Sequence, residues 1–158
     1  DAPSAFTRLL EMRVEDFVVG SVVNLVIAQR LVRKICDACF CESELDAVVW
    51  RKLKERHDVA EAIESLGYNS LQMEKKTFKK GKGCNACVGT GYAGRAGIFE
   101  VLELTKEIHD AILGHASADH IRTIASKSGY RPMAHDGVAK VFEGITTFDE
   151  VMRVTRNV

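Results

Sequence analysis

Cys36-Asp37-Ala38-Cys39 and, 44 residues further on, Cys84-Asn85-Ala86-Cys87-Val88-Gly89-Thr90-Gly91 decide how this chain is read. Each Cys-x-x-Cys pair sets two thiols on one tight turn, close enough to share a cation. Two such turns brought together offer the four sulfurs of a closed tetrahedral zinc site. A metal held there pins the ends of a long insertion, which is an architectural role before it is a chemical one. Four thiolates leave no open position for water or substrate, so catalysis at the metal is not expected. Gly89 and Gly91 let the backbone turn away with its amide N–H groups aimed at sulfur. Arg33, Lys34 and Lys82 offset the double negative charge of a zinc tetrathiolate. The competing reading is a set of cysteines in a metal-free core. Cys41 is left over, either an inert thiol or an alternative ligand.

The 158 residues suit one domain, or two small subdomains around a modest core. Lys plus Arg balance Asp plus Glu at 22 each, so net charge calls for neither nucleic acid nor membrane as an obligatory partner. No stretch approaches the ~20 apolar residues that span a bilayer. The best candidate, residues 17–31, is interrupted by Gly20, Ser21, Asn24, Gln29 and Arg30. The chain opens Asp1-Ala2-Pro3-Ser4 with no initiator Met and no signal peptide, and is expected to be a piece of a longer protein. Paired cysteines without a disulfide framework fit a reducing cytoplasm.

Working outward from the cysteines, the pattern predicts an α+β fold, mostly helical. Phe6, Leu9 and Leu10 have helical spacing within residues 4–13, and Val18, Val19, Val22 and Val23 mark a second helix. Residues 31–35 read as a strand running into the first cysteine turn. Ser43 with Asp46 predicts a helix start, followed by helices over 45–57 and 58–66, the second stopped by Gly67. Residues 74–82 hold five lysines in nine positions (Lys75, Lys76, Lys79, Lys80 and Lys82). They suit a solvated strand edge, or a contact for phosphate or an acidic partner. A short strand from Arg95 offers Ile98, Val101 and Leu102 to the core. Thr105 and Ser117 cap two further helices, Met133 to Phe142 forms another, and Thr147 with Glu150 predicts a capping box for the last.

No Gly-x-x-x-x-Gly-Lys-Ser/Thr loop is present; Gly81-Lys82 is followed by Gly83 and lacks the upstream glycine. His57, His109, His115, His120 and His135 are scattered, and no catalytic residue can be named. Cys-x-x-Cys-x-Gly-x-Gly is also the repeat unit of DnaJ-type co-chaperones, which use several copies where this chain has one. A further alternative is a stand-alone zinc-binding module for protein or nucleic acid with the five lysines as contact patch. Neutral charge counts against nucleic acid.

Three further stretches complete a pattern. They are Ser4-Ala-Phe-Thr-Arg8 through Phe17 with Ala28-Gln-Arg-Leu-Val-Arg-Lys-Ile-Cys36; Cys84 to Gly91-Tyr92-Ala-Gly94-Arg95-Ala-Gly97-Ile98-Phe-Glu100; and Met133-Ala-His-Asp136-Gly137 to Thr147-x-x-Glu150-Val-x-Arg-Val-Thr155. In this order and spacing they resemble the ATPase superfamily of bacterial type II secretion and type IV pilus assembly, over essentially the whole chain. Ala93, where a basic residue is common, and Asp37-Ala38, in place of a Pro-containing turn, depart from that pattern.

The resemblance implies a division into 1–35, the last helices and strand of a RecA-like ATPase domain; 36–91, the tetracysteine zinc subdomain; 92–104, a returning strand; and 105–158, a C-terminal helical subdomain. It implies structural zinc on Cys36, Cys39, Cys84 and Cys87, with ATP and magnesium bound by upstream parts of a parent ATPase. This portion is then not itself catalytic. It further implies a cytoplasmic homohexamer at the inner membrane, working with a platform protein and the cytoplasmic domain of an inner-membrane assembly protein, and no nucleic acid. Arg8 and Arg95 fall where basic residues reach across subunits toward nucleotide, with a local salt bridge as the alternative. Arg30 is a weaker third.

Overall fold

Two sets of helices gather around two separate cores, each assembled from two stretches of chain. The computed structural model describes residues 1–156. Its α+β composition and small sheets agree with expectation.

The first unit comprises Asp1–Gln29 and Phe99–Arg131. It holds α1 (Ala2–Glu11), α2 (Asp16–Val22), the start of β1 (Leu25–Ile35), the end of β4 (Tyr92–Glu103), α6 (Lys106–Leu113) and α7 (Ala118–Lys127). Helix α1 begins at Ala2, two residues before the expected start, because the Asp1 carboxylate accepts the Ser4 N–H at 2.8 Å. Pro3 is tolerated there since first-turn N–H groups lack helical partners. Thr105 and Ser117 cap α6 and α7 as their sequence predicts. The core closes on Phe6, Val19, Leu102, Ile108, Ile112 and Ile121.

Along β4 the pleat turns Ile98, Glu100 and Leu102 inward. Val101, expected in the core, is 49% exposed, because alternation on a strand cannot bury both neighbours. Buried Glu100 accepts the Ala2 N–H at 2.5 Å. Burial, with Glu100 beside it, pushes the Tyr130 hydroxyl upward in pKa.

The second unit comprises Arg30–Ile98 and the chain from Pro132. Strand β1 pairs with β4 in one two-stranded sheet, and β2 (Phe40–Glu44) with β3 (Thr77–Gly81) in another. Strands β2 and β3 are antiparallel, setting Glu42 opposite Lys79 and Ser43 opposite Phe78. Between them run α3 (Ala47–Glu55), α4 (His57–Ser65) and α5 (Ser70–Glu74); α8 (Met133–Phe142) and α9 (Phe148–Val154) complete the unit. Trp50, Leu53, Ile63, Met73, Val138 and Val151 fill the core, with Phe78, Phe142 and Phe148 packed edge to face.

Four expectations need correction here. Strand β1 starts at Leu25, six residues before the expected Leu31. Ser43 lies in a strand, and Asp46 caps α3 by accepting the Val48 N–H at 2.7 Å. The Asn69/Gln72 capping box makes α5 a helix, which the pattern did not suggest. At α9 only half of the expected box forms: the Thr147 hydroxyl accepts the Glu150 N–H, but the Glu150 carboxylate is drawn to Arg33 and Arg153. Among the described residues no helix is long and apolar enough to cross a membrane.

Candidate metal centre

The end of β1 delivers the first cysteine turn. Cys36 donates its N–H to the Gly91 carbonyl at 2.9 Å, and Cys39 donates back to the Cys36 carbonyl at 3.2 Å. The chain returns at Lys82, whose N–H meets the Cys39 carbonyl at 3.0 Å. Cys84 is extended, Asn85–Cys87 make one 3-10 turn, and Val88 stands at φ 52° before Gly89 N–H closes on the Cys84 carbonyl at 2.9 Å. Both turns thereby point their thiols at one locus.

The four Sγ atoms lie within 4.8 Å of one another. Cys36–Cys84 is 3.9 Å, Cys39–Cys87 3.8 Å and Cys84–Cys87 3.8 Å. A tetrahedron with Zn–S bonds of about 2.3 Å has edges of about 3.8 Å, so the donor set fits such an ion. Cys36 and Cys87 are buried, and Cys39 and Cys84 partly so.

Backbone donors surround the sulfurs. Cys87 Sγ accepts N–H bonds from Cys84 at 3.1 Å and Gly91 at 3.2 Å. These two amides, the Cys84 N–H foremost, lower the Cys87 thiol to about 6. Burial pushes Cys39 up to about 12 against a hydrogen bond from Gly83. A cation shared by four sulfurs is what such a group, buried and donor-rich, accommodates.

The turns are pressed together through backbone. A Cβ on Gly91, at φ 77°, would stand 2.6 Å from the Gly81 carbonyl oxygen. One on Gly83, at φ 91°, would stand 2.5 Å from that of Gly89. Only glycine meets both requirements.

Cys41 stands outside the group, its Sγ facing the Lys80 carbonyl at 3.5 Å. Of the expected charge-offsetting residues, Arg33 is turned elsewhere. It stacks 4.3 Å over the Tyr92 ring and bonds Glu150. Lys76 leaves the lysine patch for the Tyr68 ring, 4.7 Å away, whereas Lys75, Lys79, Lys80 and Lys82 remain exposed. No histidine joins the cysteine group.

Arg8 lies exposed in the last turn of α1, and Arg95 lies exposed on β4. Neither makes an ion pair among the described residues. Sequence reading missed the Arg33–Glu150–Arg153 cluster; its signal was Glu150 itself, an acid on the inward face of an apolar helix.

A knuckle of four cysteines that could hold a metal ion, closing a long insertion, is the class of element that fold and site define. The chain belongs to the family described as type II/IV secretion system protein, which it matches over residues 1–153. It is 37% identical over 155 residues to the type IV pilus assembly ATPase PilB of Thermus thermophilus, covering 98% of this chain and 16% of that protein. Type IV pilus assembly ATPase TfpB of Acinetobacter baylyi is 32% identical over 98% of this chain and 24% of its own length. Type II secretion system protein E of Xanthomonas campestris is 36% identical over 99% and 25%. The chain thus spans a quarter or less of the length of these three curated relatives.

Proposed function

We propose that this chain is the C-terminal portion of a hexameric cytoplasmic ATPase that powers type IV pilus assembly or type II secretion, and that it contributes a structural zinc site rather than catalytic groups. The observation that carries this reading is the convergence of four thiols at tetrahedral spacing in a chain of this family. Cys36, Cys39, Cys84 and Cys87 would hold the ion, which supplies a cross-link and no reactive centre. The residues around it do the rest. The Cys84 and Gly91 amides hold negative charge at Cys87, and the glycine contacts fix the two turns.

In this reading residues 1–35 continue a RecA-like domain lying mostly upstream, where ATP and magnesium bind. Exposed Arg8 and Arg95 reach toward nucleotide or a carboxylate of the next subunit. A guanidinium without a local partner is suited to either. The assembly works at the inner membrane against a platform protein and the cytoplasmic domain of an inner-membrane assembly protein. The stand-alone module read from the lysines draws no support from Lys76, which is committed to aromatic rings.

Elemental analysis of the purified chain tests the metal. About one zinc per chain is expected, absent from the Cys84→Ser, Cys87→Ser double variant. A metal-free native chain whose fold survives that substitution would overturn the zinc assignment.

A further inference from the structure

We propose that a groove walled by arginines beside the C-terminal end of α9 is a docking site for an acidic stretch of a partner polypeptide bearing an aliphatic side chain. Two surface hollows adjoin there, sharing Leu31 and Arg153. One, of about 380 Å³, is completed by Arg30, Val154 and Arg156; the other, of about 490 Å³, by Arg33 and Arg95. Five guanidiniums therefore line one locus, and among the described residues no carboxylate lines either hollow. In a chain of net charge zero this is a local concentration of field, not a consequence of overall basicity.

The nearest acid, Glu150, is already consumed. Its carboxylate is 1% exposed and accepts the Arg33 N–H at 2.9 Å, Arg33 Nη2 at 2.7 Å, Arg153 Nε at 2.9 Å and Arg153 Nη2 at 2.8 Å. That clamp, with Arg33 also stacked on Tyr92, fixes two guanidiniums, and among the described residues Nη1 of each meets no protein acceptor and stays available to donate. Their side chains stay 47% and 54% exposed. Arg30, Arg95 and Arg156 are exposed and form no ion pair among the described residues. A fixed pair flanked by three free donors is preorganised for carboxylates.

The floor selects the class of partner. Leu31, common to both hollows, is 48% exposed, and Val154 lies beside it. Inorganic phosphate gains nothing from an aliphatic floor. Single-stranded nucleic acid needs aromatic rings for its bases, and no ring lines either hollow. An acidic peptide with a leucine-like residue satisfies both the rim and the floor, and the groove needs neither bound metal nor nucleotide to receive it.

The test is fluorescence anisotropy of a fluorescein-labelled Asp/Glu/Leu repeat peptide titrated with the chain. Saturable binding that weakens as salt rises is expected. Arg30→Glu with Arg156→Glu should weaken it at least about tenfold, and Leu31→Asp by a similar factor, with unchanged circular-dichroism melts showing that each variant folds. Replacing the peptide's leucines by serine should weaken it too. The proposal is overturned if no saturation appears below about 1 mM, or if the variants bind as the parent does. It is equally overturned if inorganic tripolyphosphate binds there while the leucine-to-serine peptide binds undiminished, which would mark a plain phosphate site.

Discussion

Glu150 concentrates four hydrogen bonds on one buried carboxylate, and its titration follows from that count. Burial alone would raise its pKa, but hydrogen bonds from Arg153 and Arg33 outweigh it and hold the group at about 2, below its ordinary 4.5. A carboxyl whose folded pKa is depressed stabilises the fold above its unfolded pKa and loses that contribution as pH falls through the folded one. The window here runs from about 4.5 down to about 2. The full shift corresponds to about 3 kcal/mol. The half-exposed guanidiniums bring it nearer 2. Urea denaturation of Glu150→Gln should show that loss at neutral pH and a flatter acid limb than the parent. Equal acid sensitivity in both proteins would mean that another carboxylate governs the limb.

At the scale of elements, the two cysteine turns and their glycines form one piece, and most of it was legible. Cys-x-x-Cys spacing dictates a turn, Gly89 and Gly91 dictate where the backbone reverses, and Thr105, Ser117 and Thr147 announced their helices through side chains that cap locally. What stayed hidden depends on partners distant in sequence. Strand β2 exists because Phe40 to Glu44 finds Thr77 to Gly81; the lysines of the second stretch suit a strand edge, whereas the first stretch does not alternate strongly enough to declare itself. The Glu150 half of the capping box was lost to Arg33, 117 residues away, a competitor that no local motif reveals. The Gly81–Gly91 contact is of the same kind and gives a sharp test. Gly91→Ala puts a Cβ 2.6 Å from the Gly81 oxygen at a φ of 77°, for about 2 kcal/mol or more of strain. Thermal melts should fall by several degrees, and zinc should be lost to a chelator at lower chelator concentration than from the parent. An unchanged melt and unchanged chelator sensitivity would show that the turns are not held by this approach.

For the whole molecule, the division into two units would make loss of the proposed metal a local event. Every residue of the first core (Phe6, Val19, Leu102, Ile108, Ile112 and Ile121 among them) comes from outside the stretch that the cysteines enclose. The second core takes Trp50, Leu53, Val59, Ile63, Met73 and Phe78 from inside that stretch. Opening the cross-link frees the ends of the insertion and restores conformational entropy chiefly to the segment between Cys39 and Cys84. Packing of Phe78 on Phe142 and Phe148, with ring centroids 5.3 and 5.1 Å apart, opposes complete release. Hydrogen exchange on the chelated chain should therefore show amides of β2 and β3 losing protection by about ten- to a hundredfold, or about 1.4–2.8 kcal/mol. Amides of α6 and α7 should keep theirs within about a factor of two, because their core shares no residue with the insertion. Equal losses in both sets would mean that β1 and β4, which run through both units, couple them into one cooperative whole.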